Sequence, residues 1–234
     1  MVTISIPSDS YITCSHAGSF SADSCTPGGA SGIGLAIATR FAESGAYVTI
    51  ADMQSEAGTR IAAQLTSQGH AVTFAHCDVT DFNSAAEAFK TAVATSPSKT
   101  LDVAALIAGV VGEGGSLVDQ VVKAQAEAGD GAGERVPLKP RHPAMDVNLL
   151  GVYDCTYLAL YYMNLKSKVA GEGAAHGKGE GARTKSLILI SSTAAYTDIP
   201  MFSDYQTSKC EFRSFPQPSN AGDISKGNPT PFHL

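Results

Sequence analysis

The sequence predicts an α/β fold, with a doubly wound parallel sheet in a single domain. From Ile33 onward, apolar runs of strand length alternate with stretches that have helical periodicity. Strands that alternate with helices of this length form βαβ units and a parallel sheet. A glycine-rich turn, Gly28–Gly34, stands at the start of the first helical stretch. The 234 residues suffice for one such domain but not for two.

The glycine-rich turn predicts a dinucleotide-binding site when it is taken together with the elements that follow it. Its glycines let the backbone turn tightly, approach a diphosphate closely and pack the helix onto the sheet. The helix N-terminus adds unpaired N–H groups and a partial positive charge. The next strand, Tyr47–Ala51, leads to Asp52, which can accept hydrogen bonds from ribose hydroxyls. The turn alone fits an ordinary loop equally well; the whole series favours the dinucleotide site.

Residues 1–27 are expected to form an irregular N-terminal extension. A turn such as Gly28–Gly34 normally follows the buried central strand of the sheet. The preceding run Ser19–Pro27 is polar, and proline cannot donate to a ladder in a central strand. Either one of two strand-like pieces, Val2–Ile6 or Tyr11–Cys14, is recruited through a long loop, or the central strand is poorly formed. A disordered extension is the alternative.

The following elements come in regular order. Helix predictions rest on apolar residues at helical spacing, such as Ile61, Ala62 and Leu65 on one face, with Gly69 as a stop signal. Strand predictions rest on apolar runs that are bounded by turn residues. The predicted helices are 33–44, 55–67, 82–95 and, in a less orderly region, 117–128; the predicted strands are 47–51, 71–77 and 101–109.

The second half of the sequence carries polar residues that bear on function. A long helix is expected over Pro143–Lys166, and Asn148 inside it would by itself be a polar surface residue. A glycine-rich loop, Gly171–Gly181, precedes a fifth strand, Ser186–Ser192. Ligands of such sheets bind beyond the carboxyl ends of the strands, so Ser192 is expected to face a cofactor crevice.

A tyrosine and a lysine four residues apart, Tyr205 and Lys209, share one face of a predicted helix. A phenol with a pKa of about 10 is a poor base at neutral pH, but a lysine cation and a positive nicotinamide ring favour the phenolate. Tyr205 would take the proton of a substrate alcohol as the hydride leaves, and Ser192 would hydrogen-bond the same oxygen. Alone, such a pair is usually an ordinary helix face; the neighbouring motifs favour the catalytic interpretation.

Composition and charge speak against several other classes of function. A net charge of −6 does not suggest a nucleic-acid or anionic-membrane surface. No apolar run reaches bilayer-spanning length, and the start, Met1–Pro7, lacks the features of a signal peptide. The five cysteines and six histidines show no CxxC or zinc spacing. No metal is therefore predicted, and a reduced, cytoplasmic location is expected.

Together the motifs resemble those of the short-chain dehydrogenase/reductase family, which has a Rossmann-like fold. The matching residues are Gly28–Gly34, Asp78-Val79, Ala108-Gly109, Asn148, Ser192, Tyr205 and Lys209. Residues 145–151 and 186–209 resemble its NAD-dependent 15-hydroxyprostaglandin-dehydrogenase-like branch, including fungal secondary-metabolite members. The resemblance implies a catalytic tetrad of Asn148, Ser192, Tyr205 and Lys209, in which Lys209 also holds the nicotinamide ribose and Asn148 anchors a water in a proton relay.

The resemblance also implies a set of cofactor contacts, in which Asp78 and Val79 would contact the adenine. Asp52, with Ser31 rather than a basic residue in the turn, favours NAD over NADP because a carboxylate would repel the extra phosphate. The implied cofactor-binding residues are Gly28, Ser31, Gly32, Ile33, Gly34, Asp52, Asp78, Val79, Ala108, Gly109, Tyr205 and Lys209.

The sequence departs from the family pattern at three places. Pro27 stands where the family has threonine, and Leu106–Gly109 replaces the Asn-Asn-Ala-Gly of the fourth strand, which removes two polar groups. The third departure follows Lys209, where repeated prolines predict coil. The Rossmann-like domain is therefore expected over residues 28–215, C-terminally truncated relative to the family, and residues 216–234 are expected to form an irregular tail.

Two classes of function stay open. The favoured one is an oxidoreductase that transfers a hydride between NAD(H) and a secondary alcohol or ketone, in secondary metabolism. The alternative is a catalytically inactive remnant that binds nucleotide or serves as a partner subunit. A homo-oligomer of the family type is expected to be weakened, because missing C-terminal elements would leave a sheet edge and helix faces incomplete.

Overall fold

A computed structural model of the chain describes residues 22–112, 115–128, 136, 139–165, 185–197 and 201–210. The predictions for residues 1–21, for the loop Gly171–Gly181 and for the tail 216–234 lie outside the described residues. Within the predicted domain, the described chain separates into two compact units. The larger unit contains residues 22–108, 151–165 and 185–190, and the smaller one contains the rest.

The larger unit is built on a five-stranded parallel sheet, in the order β3-β2-β1-β4-β5. Reversal of the strand order on either side of β1 is the mark of a doubly wound sheet, which confirms the predicted fold class. The strands are β1 Asp23–Pro27, β2 Tyr47–Asp52, β3 Val72–His76, β4 Val103–Leu106 and β5 Ser186–Leu189.

The described helices follow the predicted ones closely. They are α1 Gly32–Glu43, α2 Ser55–Ser67, α3 Phe82–Thr95, α4 Leu117–Ala128, α5 Pro143–Met145, α6 Val152–Met163 and α7 Ser203–Cys210. α1 packs against β1 and β2, α2 packs against β2 and β3, and α3 packs against β1, β2, β3 and α6. Within the described ranges, every helix is too short or too polar to traverse a bilayer.

The central strand β1 is formed by the polar run that was expected to be irregular. That prediction is wrong for Asp23–Pro27. Proline removes only one N–H donor from the strand ladder, and Pro27 is the last residue of the strand. The Pro27 carbonyl still accepts the N–H groups of Ile107 and Ala108, each at 2.9 Å. The polar side chains also find partners: Ser24 Oγ donates to the Tyr47 carbonyl at 3.2 Å, and the buried Asp23 carboxylate accepts from the hydroxyl of Ser98.

The core between β1, β2 and the helices is made largely of alanine. Small residues let the helices lie close to the sheet, and larger apolar side chains fill the remaining space. The predicted apolar face of α2 is confirmed, since Ala62 and Leu65 are buried and Ile61 packs against the core. The buried cluster consists of Ala22, Ala30, Ala38, Ala42, Ala46, Val48, Ile50, Leu65 and Val103.

The helix predicted over Pro143–Lys166 is present, but it changes its winding. The chain passes from α5 through a π-helical turn, Asp146–Gly151, into α6. Single π turns inside α-helices are frequent at functional sites. In the smaller unit, α5 packs against α7, and α7 packs against a 3₁₀ turn, Thr193–Ala195.

Candidate active site

The glycine-rich turn of the larger unit has no room for a side chain at Gly28, Gly29 or Gly34, and a Cβ at Gly29 would lie 2.7 Å from the Thr26 carbonyl oxygen. Gly28 has a φ of +81°, and a side chain there would enter the backbone of Ala108. A side chain at Gly34 would collide with the Gly28 carbonyl oxygen. The backbones of the turn, of the start of α1 and of Ala108, just after β4, are therefore in close contact, and the cofactor roles of the turn residues stay predictions.

The N-terminus of α1 is an open surface of polar backbone. Ser31 is the N-cap residue, but its side chain makes no capping hydrogen bond. Ser31, Gly32 and Ile33 are exposed, and no atom lies within 4 Å of the position that a Gly32 Cβ would take. The first N–H groups of a helix have no partner within it. This cradle fits a diphosphate, because it combines free donors, space and the positive end of the helix dipole.

Asp52 is held in place by the same turn. It ends β2 and is buried; its Oδ2 accepts the Ala30 N–H and its Oδ1 accepts the Gln54 N–H, both at 3.0 Å. Each carboxylate oxygen has a second lone pair available for a ribose hydroxyl. The sequence predicted Asp52 as a ribose acceptor; its bond to the backbone of the turn was not predicted.

Asp78 and Val79 follow β3 and serve local packing in the described structure. The Asp78 Oδ1 accepts the Thr80 N–H at 2.9 Å and the Thr80 hydroxyl at 2.7 Å. Val79 is buried, and Gly151 lies so close to it that a Cβ would come within 2.8 Å of the Val79 carbonyl oxygen. The contact of both residues with adenine, and the cofactor role of Gly109, stay predictions.

In the smaller unit, Asn148 is buried and not the polar surface residue that its sequence context alone would favour. It lies in the π-helical turn, where its amide pairs with the backbone of Val110. Oδ1 accepts the Val110 N–H and Nδ2 donates to the Val110 carbonyl, both at 2.8 Å. Nδ2 also donates to Ser208 Oγ at 3.1 Å. The side chain therefore positions backbone and a hydroxyl, and the water relay stays a prediction.

Tyr205 and Lys209 lie on α7, as predicted. The Lys209 Nζ is 5.8 Å from the centroid of the Tyr205 ring, a distance at which a cation interacts with an aromatic face. Lys209 is only 5% exposed, and burial lowers the pKa of its ammonium group because the charged form loses solvation.

Ser192 comes shortly after β5 along the chain and is the N-cap of the 3₁₀ turn, where its Oγ accepts the Ala194 N–H at 3.2 Å. Its hydroxyl hydrogen is not used by that bond and remains available to an acceptor. The turn contacts α7. Just before the turn, Ser191 Oγ donates to the Lys209 carbonyl at 3.4 Å. The smaller unit thus brings together the elements that carry Ser192, Tyr205, Lys209 and Asn148.

Two further residues at this site were missed by sequence reasoning. Ser208 Oγ donates to the Tyr205 carbonyl at 2.7 Å, and the Asp204 Oδ1 accepts the Tyr205 N–H at 2.8 Å. The signal that could have found Ser208 is its spacing of three residues from Tyr205 on a helix. Among the described residues, no group of three or more His, Cys, Asp or Glu side chains could hold a metal ion.

A family model described as short chain dehydrogenase matches residues 25–219. The chain belongs to this family. It is 41% identical over 201 residues to a 5'-hydroxyaverantin dehydrogenase of Dothistroma septosporum, covering 86% of this chain and 61% of the relative. An enzyme of the same name from Emericella nidulans is 37% identical over 184 residues, 78% of this chain and 55% of the relative.

A third relative and a solved structure extend the comparison. The NADP-dependent dehydrogenase of Cochliobolus lunatus is 34% identical over 185 residues, 78% of this chain and 58% of the relative. A variant of the actinorhodin polyketide ketoreductase, solved with NADPH, shares the fold with a TM-score of 0.60 at 22% identity, covering 84% of this chain and 63% of that one. The chain spans 55–61% of the length of these three curated relatives.

Proposed function

We propose that this chain is an oxidoreductase that transfers a hydride between a nicotinamide dinucleotide and a secondary alcohol or ketone of secondary metabolism. The observation that supports it most is the arrangement in the smaller unit. There, α7 carries Tyr205 beside the buried Lys209 and packs on the turn that Ser192 caps. Family membership and the fungal relatives support the same reaction class.

The protein side of the reaction follows from these three groups. When bound, the nicotinamide supplies the hydride acceptor or donor. Tyr205 would accept the proton of the substrate hydroxyl in oxidation and return it in reduction. The Lys209 cation would favour the phenolate form of Tyr205, and Ser192 would donate its free hydroxyl hydrogen to the substrate oxygen.

We infer that the cofactor is NAD rather than NADP. The carboxylate of Asp52 ends β2 and is fixed by two backbone N–H groups, so it cannot turn away easily from a ribose bound there. A phosphate on that ribose would be repelled by the negative charge. The Cochliobolus lunatus relative is named NADP-dependent, so this preference needs a direct comparison of the two cofactors.

A second candidate is a nucleotide-binding protein without turnover. The observation that favours it is that the groups proposed to hold the dinucleotide, the N-terminus of α1 and Asp52, lie in the larger unit, whereas Tyr205 and Lys209 lie in the smaller one. For the first candidate we propose an apolar, hydroxylated secondary metabolite as the substrate. The hydroxyl group is named in the two 5'-hydroxyaverantin dehydrogenases. A cytoplasmic location and a family-type homo-oligomer stay predictions.

The test is a titration of the purified chain with NADH and NADPH, followed by turnover of naphthyl methyl carbinol with NAD⁺. We expect tighter binding of NADH, and turnover that falls by about 100-fold or more in Tyr205→Phe. The matched control is Tyr196→Phe, which removes an exposed phenol from the same unit. Binding without turnover would support the second candidate, and absence of binding would contradict both.

A further inference from the structure

Two polar contacts join α7 to the helical run that begins at Pro143. The Ala144 N–H donates to the Asp204 Oδ2 at 3.4 Å, and the Asn148 Nδ2 donates to the Ser208 Oγ at 3.1 Å. Ala144 and Asn148 are four residues apart, and so are Asp204 and Ser208. Asp204 and Ser208, with this spacing on α7, share a helix face, so the two contacts join that face of α7 to residues 144–148.

Asp204 and Ser208, the two α7 residues in these contacts, also hydrogen-bond to the backbone of Tyr205. Its N–H donates to the Asp204 Oδ1 at 2.8 Å, and its carbonyl accepts the Ser208 hydroxyl at 2.7 Å. The two polar backbone groups of this one residue are therefore each tied, through a side chain, to the helical run that contains Asn148. Displacement or rotation of the Tyr205 backbone would break at least one of these hydrogen bonds.

The segment after β4 is fitted to the same carboxylate. Gly112 has a φ of +86°, and a Cβ built on it would lie 2.5 Å from the Asp204 Oδ2 and 2.9 Å from Oδ1. Two residues earlier, Val110 is held by the Asn148 amide. Asp204 thus sits where three parts of the smaller unit meet: the 109–112 segment, the start of α5 and the first turn of α7.

We propose that Asp204 is a positioning residue that sets the place of the Tyr205 phenol within the smaller unit. This inference rests on the proposed function of Tyr205 as the proton-transferring group. A carboxylate is needed because each of its oxygens accepts one N–H, from Ala144 and from Tyr205. Asparagine has only one acceptor oxygen, so one of those N–H groups would face an amide NH₂.

The test compares Asp204→Asn and Asp204→Ala with Asp119→Ala. Asp119 is a matched control, because it is also a carboxylate in the first turn of a helix of this unit, where it accepts the Ser116 N–H at 3.1 Å. With naphthyl methyl carbinol and NAD⁺, we expect kcat to fall by about tenfold in the asparagine variant and about 100-fold in the alanine variant. KM and the Kd for NADH should change less than about twofold, since the contacts proposed for the cofactor phosphates lie elsewhere.

A readout that does not need turnover is the ¹³C resonance of the tyrosine phenol carbons. The chain has eight tyrosines, and the Tyr205 signal is the one lost in Tyr205→Phe. We expect its chemical shift to move in both Asp204 variants and to stay fixed in Asp119→Ala, with all variants folded by circular dichroism. An unmoved Tyr205 signal in both Asp204 variants would overturn the positioning role. An inactive parent chain with a Tyr205 signal that moves would overturn the proposed function alone.

Discussion

At the scale of single residues, Lys209 and Asn148 are polar side chains that the described structure buries. Lys209 is nearly enclosed, yet its flexible chain ends beside an aromatic ring. The side-chain amide of Asn148 forms hydrogen bonds with the backbone of Val110 and with Ser208. Neither surrounding is visible in the local sequence, although the residue types and the spacing of Tyr205 and Lys209 were correctly recognised.

Lys209 should make the stability of the fold depend on alkaline pH. Its pKa is lowered from 10.5 in the folded chain because burial penalises the ammonium group. Between the lowered pKa and 10.5 the unfolded chain binds more protons than the folded one, so the free energy of unfolding should rise as the pH rises through that window. Urea titrations at several alkaline pH values measure this rise.

The comparison for that measurement is Lys209→Met, which keeps an apolar stem and removes the titrating amine. We expect the rise to be smaller in this variant than in the parent chain. An equal pH dependence in both proteins would show that burial of the Lys209 charge has no energetic consequence. Lys90, an exposed side chain paired with Glu87, offers a control substitution to Met. Glu87 raises the pKa of Lys90 above 10.5, so the effect of Lys90 is a fall in stability above pH 10.5, and its removal should leave the rise below 10.5 intact.

At the scale of elements, close backbone packing distinguishes the functional turn from ordinary ones. Gly28 and Gly69 both have φ values near +90°, at +81° and +93°. A Cβ at Gly69 would meet nothing within 4 Å, whereas one at Gly28 would enter the backbone of Ala108. The sequence predicted a glycine-rich turn at Gly28 and a helix stop at Gly69, but only the tertiary structure separates a steric requirement from a conformational preference.

Gly28→Ala and Gly69→Ala should therefore differ in their effects. Both should lose about 1–2 kcal/mol of stability, because alanine disfavours the left-handed backbone. Gly28→Ala should lose more, because its methyl group would displace the backbone of Ala108, just after β4. We also expect only Gly28→Ala to weaken NADH binding. Chemical denaturation and calorimetric titration of both variants check this, and equal losses of stability and affinity would contradict the packing argument.

At the scale of the whole molecule, the described chain holds the glycine turn and the five-stranded sheet in one unit and the Tyr205 helix in the other. The parallel sheet and most helix bounds were predicted from periodicity and turn residues, whereas the strand order is known only from the structure. The predictions failed at β1, because backbone pairing to β2 and β4 outweighs the poor strand propensity of a polar, proline-ended run.

Ligand binding should stabilise the molecule as a whole if the turn holds a dinucleotide. A ligand that binds only the folded state at 100 times its Kd adds about 2.7 kcal/mol of stability. For a chain of this length that corresponds to a rise in melting temperature of about 5–10 °C. Thermal melts with and without NADH measure it; a cooperative melt that NADH leaves unchanged would contradict a working site at the turn.

The amino-acid sequence was sufficient to predict the alternation of strands and helices, the glycine turn, Asp52 at the end of β2 and the shared helix face of Tyr205 and Lys209. These features depend on spacing within one element or on the backbone freedom of glycine. Two features became visible only in the folded chain: Asp23–Pro27 is the central strand, and Asn148 is buried with its amide hydrogen-bonded to Val110. Both depend on partners far away in the chain, and hydrogen bonds to distant backbone leave no periodic pattern in the sequence.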